Sequence, residues 1–226
     1  MTTIAENLQV VRARIGRAAQ SVGRDASAVT LLAVSKAHPA PRIAEAHAAG
    51  QQCFGENYVQ EALEKMASLP ALEWHLIGPL QSNKTRMAAE RFHWIQTLDR
   101  DKVARRLSEQ RPAELPALNV LIQVNVSGEA TKSGVPPEAA PALARAVATM
   151  PRLRLRGVMA IPEPGAARSR YREAREAYER LASEFEVDTL SLGMSDDLEL
   201  AIAEGATMVR VGTAIFGERR KEQRAA

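Results

Sequence analysis

Several features that mark other protein classes are scarce in this 226-residue sequence. There is one cysteine, Cys53, so an internal disulfide is impossible and a disulfide-stapled secreted domain is excluded. Aromatic residues make up only 4% of the chain, and 30 Lys and Arg are nearly balanced by 27 Asp and Glu. A nucleic-acid surface more often shows a one-sided basic stripe with interleaved aromatics. No apolar run approaches the roughly 20 residues that a membrane span requires. We therefore expect neither a nucleic acid nor a membrane as partner.

Common catalytic and metal motifs are also missing. Cys53 and the 4 histidines show no metal-ligand spacing, so we expect no metal. There is no G-x-S-x-G elbow, no Walker A loop and no G-x-G-x-x-G turn after the first apolar run. The N-terminus lacks an apolar run followed by a small-residue cleavage site, so we do not expect it to be a secretory signal. A single cysteine suits a reducing compartment, and we expect a cytoplasmic protein.

What the sequence does contain is a repeated pattern of a short β-rich apolar run, a turn and a helical stretch. The apolar runs are VTLLAVS from Val29, QCFGEN from Gln52, WHLIG from Trp74, HWIQTL from His93, LNVLIQVNV from Leu118, LRGVMAI from Leu155, DTLSLGM from Asp188 and TMVRVG from Thr207. Continuous apolar strands that alternate with helices are typical of a parallel sheet covered on both faces.

These units are preceded by one amphipathic helix, whose apolar residues recur at helical spacing. They are Ile4, Leu8, Val11, Ile15 and Ala18. The pattern favours a closed (β/α)₈ barrel with an extra N-terminal helix, and an open doubly wound sheet is the alternative. No linker or low-complexity segment divides the chain, so residues 1–226 are predicted to form one domain.

Polar residues follow several of the predicted strands, where the active sites of parallel barrels lie. Lys36 comes directly after the first apolar run. Its amine would be partly desolvated, and a nearby cation such as Arg210 would lower the lysine pKa further. A neutral amine is what imine formation with an aldehyde requires. The alternative is a surface lysine that merely ends a strand.

The segments SLGMSDD and VRVGTAIFG follow the last two predicted strands, where barrels often bind phosphate. Gly193 and Gly212 would let the backbone approach a ligand closely. Ser191, Ser195 and Thr213 would offer hydroxyl groups. The alternative is that these glycines only form turns and that a serine or aspartate only caps a helix.

Arg210 lies inside an otherwise apolar strand, and a buried arginine needs a partner. That partner is either an internal carboxylate, such as Glu56 or Glu199, or a ligand atom that accepts a hydrogen bond. His75, Trp74 and the methionines are interpreted as core or supporting residues.

Several segments together resemble a known family. AVSKAHP, FGENYVQE, WHLIGPLQSNK, VNVSGEATKSGV, GVMAIP, SLGMSDDLELAI and VRVGTAIFGER are similar, in order and spacing, to the pyridoxal phosphate homeostasis protein family. The similarity runs from about Leu31 to Arg219. The members are single-domain relatives of the alanine racemase barrel, fold type III of the pyridoxal phosphate proteins.

The resemblance implies a cofactor, pyridoxal 5′-phosphate (PLP), and a role for each matching residue. Lys36 would carry it as a Schiff base, and Arg210 would face the pyridine nitrogen. The phosphate would be held by Ser191, Ser195, Gly212 and Thr213, and the ring pocket would be lined by Asn57 and Met159. A cation at the ring nitrogen discourages its protonation, which favours holding the cofactor over carbanion chemistry.

Two lysine positions of the family bear on function. Lys132 matches a lysine that the family places in a loop near the site. His38 stands where relatives commonly have a further lysine, two residues after the Schiff-base lysine. A transfer role for a lysine amine at this position is therefore not expected for this chain.

Three functions remain open at this point. The resemblance implies a non-catalytic carrier in vitamin B6 homeostasis, which would deliver PLP to apoenzymes. An amino-acid racemase would need a second base, which alanine racemases take from a C-terminal β domain. The sequence ends at Ala226, soon after the last predicted strand, and only Tyr58 among the tyrosines is expected near the site. A Schiff-base aldolase would use Lys36 without cofactor. Without the racemase's dimer-forming domain, a monomer is expected.

Overall fold

Eight parallel strands close into a barrel. The computed structural model describes residues 2–129 and 133–218. The strands are β1 (Thr30–Val34), β2 (Cys53–Glu56), β3 (Glu73–Leu76), β4 (Trp94–Leu98), β5 (Leu118–Val124), β6 (Leu153–Ala160), β7 (Thr189–Ser191) and β8 (Met208–Val211). Each pairs with the next in sequence, and β1 pairs with β8 from Thr30–Met208 to Ala33–Val211. The (β/α)₈ prediction is confirmed, and the open-sheet alternative is wrong.

Helices connect the strands and cover the outside of the barrel. They are α1 (Ile4–Ser21), α2 (Ala40–Ala48), α3 (Val59–Ser68), α4 (Thr85–Arg91), α5 (Asp101–Gln110), α6 (Ala140–Ala148), α7 (Arg168–Ala182), α8 (Leu198–Ala203) and α9 (Thr213–Phe216). None of the described helices is long and apolar enough to cross a membrane.

The extra helix, α1, begins at a capping box. The Thr3 side chain accepts a hydrogen bond from the Glu6 amide, and the Glu6 carboxylate accepts one from the Thr3 amide. The predicted apolar stripe is buried, as Leu8 and Val11 illustrate with 1% exposure each. This stripe packs against α2, α8 and α9 and fixes α1 to the barrel.

Strand alternation divides the core into two layers, because successive side chains of a strand point to opposite faces. The large layer between strands and helices includes Phe54, Trp74 and Ile95. The barrel interior holds two smaller apolar clusters, one of Leu32, Val34, Ile77 and Met208, the other of Trp94, Leu121 and Met159. Buried polar side chains share this interior, among them His75, Gln96, Ser191 and Arg210. Hydrogen bonds join these four side chains to one another.

Candidate functional site

A cavity of about 300 Å³ lies at the carboxyl end of the barrel. Its lining includes six residues expected to bind the cofactor: Lys36, Asn57, Ser195, Arg210, Gly212 and Thr213. They come from the ends of β1, β2, β7 and β8, which are far apart in sequence and adjacent in the closed sheet. The barrel thus brings an amine, two hydroxyls, an amide and a guanidinium to one cavity.

The remaining two residues of the expected set lie outside this lining. Met159 is fully buried in the interior cluster with Trp94 and Leu121. Ser191, also fully buried, uses its hydroxyl inside the barrel, where it donates to Gln96 Oε1 at 2.7 Å and accepts from Arg210 at 2.8 Å. Lys132, the further lysine of the family pattern, lies outside the described residues.

Arg210 is a buried cation held by neutral partners. Its guanidinium donates to the Ser191 hydroxyl and to the Ala160 carbonyl, each at 2.8 Å. Burial lowers the pKa of Arg210 to about 10, so the group stays charged near neutral pH. The two carboxylates considered as partners pair elsewhere, Glu56 with Lys65 and Glu199 with Arg14. Of the two alternatives for Arg210, pairing with Glu56 or Glu199 is therefore wrong.

A chain of hydrogen bonds continues from Ser191 across the barrel interior. Gln96 donates from Nε2 to His75 Nδ1 at 2.9 Å. Since an amide nitrogen only donates, Nδ1 of His75 accepts and Nε2 carries the proton, which it donates to Glu73 at 2.8 Å. Burial lowers the pKa of His75, so the ring is neutral. Each side chain in this series donates to the next, from Arg210 to the Glu73 carboxylate. This series of hydrogen bonds fixes the orientation of the Arg210 guanidinium.

The loop after β7 contributes Met194, Ser195 and Asp196 to the cavity lining. Gly193 adopts a φ of 90°, and a Cβ there would lie 2.4 Å from the Cβ of Ala201. A side chain is therefore excluded on both conformational and steric grounds. Two residues further on, the Ser195 carbonyl accepts a hydrogen bond from Arg14 of α1 at 3.0 Å. The helix that follows this loop, α8, begins at Leu198.

Gly78, in the loop after β3, sets the position of the Asn57 backbone. A Cβ at Gly78 would lie 2.1 Å from the Asn57 carbonyl oxygen, so only glycine permits this contact. Asn57 also lines a neighbouring cavity of about 360 Å³, which shares Ile77, Ile161 and Met194 with the first. The two cavities thus adjoin at the mouth of the barrel.

Tyr58, Tyr171 and His38 lie outside the cavity lining, and the position of Tyr58 differs from the expectation. Tyr58 is 67% exposed and is not part of the cavity lining. Tyr171 on α7 also lies outside this lining; it is buried and donates its hydroxyl to Asp197 in the loop after β7. Burial and this carboxylate raise the pKa of Tyr171. His38 stacks on Phe216, with ring centroids 5.0 Å apart.

Comparison with known proteins assigns the family. The model of the alanine racemase N-terminal domain matches residues 3–220. The pyridoxal phosphate homeostasis protein of Pseudomonas aeruginosa is 61% identical, over 97% of this chain and 97% of its own length. The protein of that name from Escherichia coli is 55% identical, over 97% and 98% of the two chains. This chain belongs to the pyridoxal phosphate homeostasis protein family.

Solved structures agree with this placement. PipY of Synechococcus elongatus, solved with PLP bound, is 38% identical to this homeostasis-family chain, with a TM-score of 0.83. The match covers 95% of this chain and 100% of PipY. Alanine racemase from Corynebacterium glutamicum has a TM-score of 0.72 at 20% identity, covering 97% of this chain and 62% of the racemase. That second likeness shows the shared fold alone.

Proposed function

We propose that this protein holds PLP reversibly on Lys36, as a single-domain cytoplasmic carrier in vitamin B6 homeostasis, and delivers it to apoenzymes. The observation that carries the proposal is the cavity that gathers Lys36, Ser195, Arg210 and Thr213 at the carboxyl end of the barrel. The support from relatives is that PipY, 38% identical over 95% of this chain, was solved with PLP bound.

The donor set fits each part of the cofactor. When bound, PLP supplies an aldehyde that a neutral lysine amine can attack, and Lys36 provides that amine. The hydroxyls of Ser195 and Thr213, with the backbone at Gly212, suit a phosphate group. Arg210 and Asn57 are left to contact the ring.

Two residues take supporting roles in this proposal. The Ser191 hydroxyl is already committed to Gln96 and Arg210, so we assign it to orienting the guanidinium rather than to holding the phosphate. Met159, buried in the interior cluster, supports the ring pocket from within the barrel.

Arg210 favours binding over catalysis. PLP enzymes that stabilise carbanions use the protonated pyridine ring as an electron sink. A guanidinium, charged at neutral pH and fixed by Ser191 and the Ala160 carbonyl, opposes protonation of a nitrogen that it faces. We therefore propose that the protein has no catalytic reaction of its own.

A racemase would need a second base beside the cofactor. Tyr58 does not line the cavity, and the Tyr171 hydroxyl is donated to Asp197 and has a raised pKa. Neither tyrosine is placed to act as such a base. An aldolase that used Lys36 without cofactor would share this cavity but would leave the PLP bound to PipY without explanation.

The test combines transfer with a search for catalysis. Protein loaded with PLP and freed of excess is mixed with an apo-aminotransferase, and recovery of transaminase activity is followed with and without a PLP-trapping phosphatase. We expect slow recovery and no racemisation of L-alanine by the carrier alone. Failure to release PLP to any apoenzyme would contradict delivery, and racemisation above the rate of free PLP would contradict the non-catalytic role.

A further inference from the structure

The turn that follows β1 has a strained backbone. Ala37, directly after Lys36, has a φ of 61°; among the described residues, the other positive-φ residue that is not glycine is Arg152. The left-handed region is unfavourable for alanine, because its Cβ crowds the carbonyl oxygen. The His38 amide donates to the Ser35 carbonyl at 3.1 Å and closes the turn. Strain of this kind persists only where surrounding contacts hold it.

Glu61 and Lys65, one turn apart on α3, supply those contacts. Glu61 Oε1 accepts from the Ala37 amide at 2.6 Å and from Lys65 Nζ at 2.7 Å. Lys65 Nζ also donates to the Ser35 carbonyl at 2.9 Å. The residues on both sides of Lys36 are therefore fixed to the same pair of side chains.

Glu56, at the end of β2, completes the cluster. Its Oε1 accepts from the Ser35 hydroxyl at 2.6 Å and from Lys65 at 2.7 Å. Glu56 is fully buried and Lys65 is 6% exposed. Buried charges are unfavourable unless paired, and a simple turn between a strand and a helix needs no such cluster. The cluster gives the backbone at Lys36 a fixed geometry that local sequence alone would not favour.

We propose that Glu61, supported by Lys65 and Glu56, is a positioning residue that holds the Ser35–Ala37 turn so that Lys36 presents its amine to the cofactor cavity. The inference rests on the proposed attachment of PLP to Lys36. It assigns to α3 a role in the attachment reaction, although neither Glu61 nor Lys65 lines the cavity. Pre-arrangement of a reacting group raises its rate of reaction without any direct contact with the ligand.

The test uses Glu61→Ala, which leaves the Lys65–Glu56 pair intact, with Glu64→Ala on the exposed face of the same helix as matched control. Two readouts are taken: hydrogen exchange of the Ala37 amide in cofactor-free protein, and the rate of covalent PLP attachment at Lys36. Loss of a hydrogen bond to a charged acceptor should raise the exchange rate and lower the attachment rate, each by about tenfold. Glu64→Ala should change neither.

A rescue variant separates positioning from general damage. Glycine adopts a positive φ without strain, so Ala37→Gly in the Glu61→Ala background should restore much of the attachment rate. The free energy of unfolding of each variant is measured by urea denaturation, so that recovery of position is distinguished from recovery of stability alone. Unchanged attachment in Glu61→Ala, or a loss that Ala37→Gly leaves in place, overturns the positioning role while wild-type attachment still supports the proposed function. Wild-type protein that attaches no PLP at Lys36 overturns both.

Discussion

Replacing Gly193 by alanine tests whether the loop after β7 requires glycine for space as well as for conformation. Gly193 has a φ of 90° and would bring its new Cβ to 2.4 Å from the Cβ of Ala201. Gly205 is a matched control, because it has a φ of 94° but no atom closer than Arg175 Cδ at 3.6 Å. The two substitutions therefore share the conformational strain and differ in the steric overlap.

The expected magnitudes follow from these two terms. A left-handed conformation costs an alanine about 1–2 kcal/mol, and this applies to both variants. Carbon atoms normally approach to about 3.5 Å, so the overlap at Ala201 forces the backbone to move, at about 1–3 kcal/mol. We expect Gly205→Ala to lose about 1 kcal/mol and Gly193→Ala about 3 kcal/mol of unfolding free energy.

The assay is urea denaturation of both variants and wild type without cofactor, followed by PLP titration. Because Ser195 lies two residues beyond Gly193, we also expect Gly193→Ala to weaken PLP binding and Gly205→Ala to leave it near wild type. Equal losses of stability in the two variants would refute the steric part of the argument. Normal PLP affinity in Gly193→Ala would refute the link between this loop and the cofactor cavity.

Three further predictions concern the polar groups of the site and the core. Ser191→Ala removes a partner from both Arg210 and Gln96, and urea denaturation should show a loss of about 3 kcal/mol; a loss below about 1 would contradict it. The hydrogen bond that His75 donates lowers the pKa of Glu73 from 4.5 to about 2. The Glu73 carboxylate therefore stabilises the folded state above pH 4.5, and this contribution is lost as the pH falls toward 2. Since Glu73 is 43% exposed, Glu73→Gln should cost only about 1 kcal/mol at pH 7, and denaturation at pH 2 should show no difference. Thr213→Val should raise the PLP dissociation constant about tenfold without altering the fold; an unchanged constant would exclude this hydroxyl from the phosphate site.

The barrel could be predicted because each strand carries its own local signal. The apolar run from Val29 became β1 and the run from Thr207 became β8, since strands buried on both faces are apolar throughout. Lys36 and Thr213 could be placed at one end of the barrel because parallel strands all end on the same side. Most of the cavity lining follows from that single rule.

The polar partners could not be predicted in the same way. Gln96 and Ser191 meet across the barrel interior, and nothing near either residue in the sequence indicates the other. Arg210 illustrates the consequence: its need for a partner was evident, but the partners are a serine hydroxyl and a backbone carbonyl rather than a carboxylate. The left-handed turn at Ala37 was also hidden, because alanine gives no signal for that conformation.

The most direct test of the central claim is to locate the covalent adduct. Wild-type protein is incubated with PLP, reduced with borohydride, weighed intact and digested for peptide mapping. The account predicts the mass of one cofactor per chain, on the peptide that contains Lys36, and loss of the modification at that position in Lys36→Ala. An unmodified wild-type protein, or a wild-type adduct on a lysine other than Lys36, would contradict it.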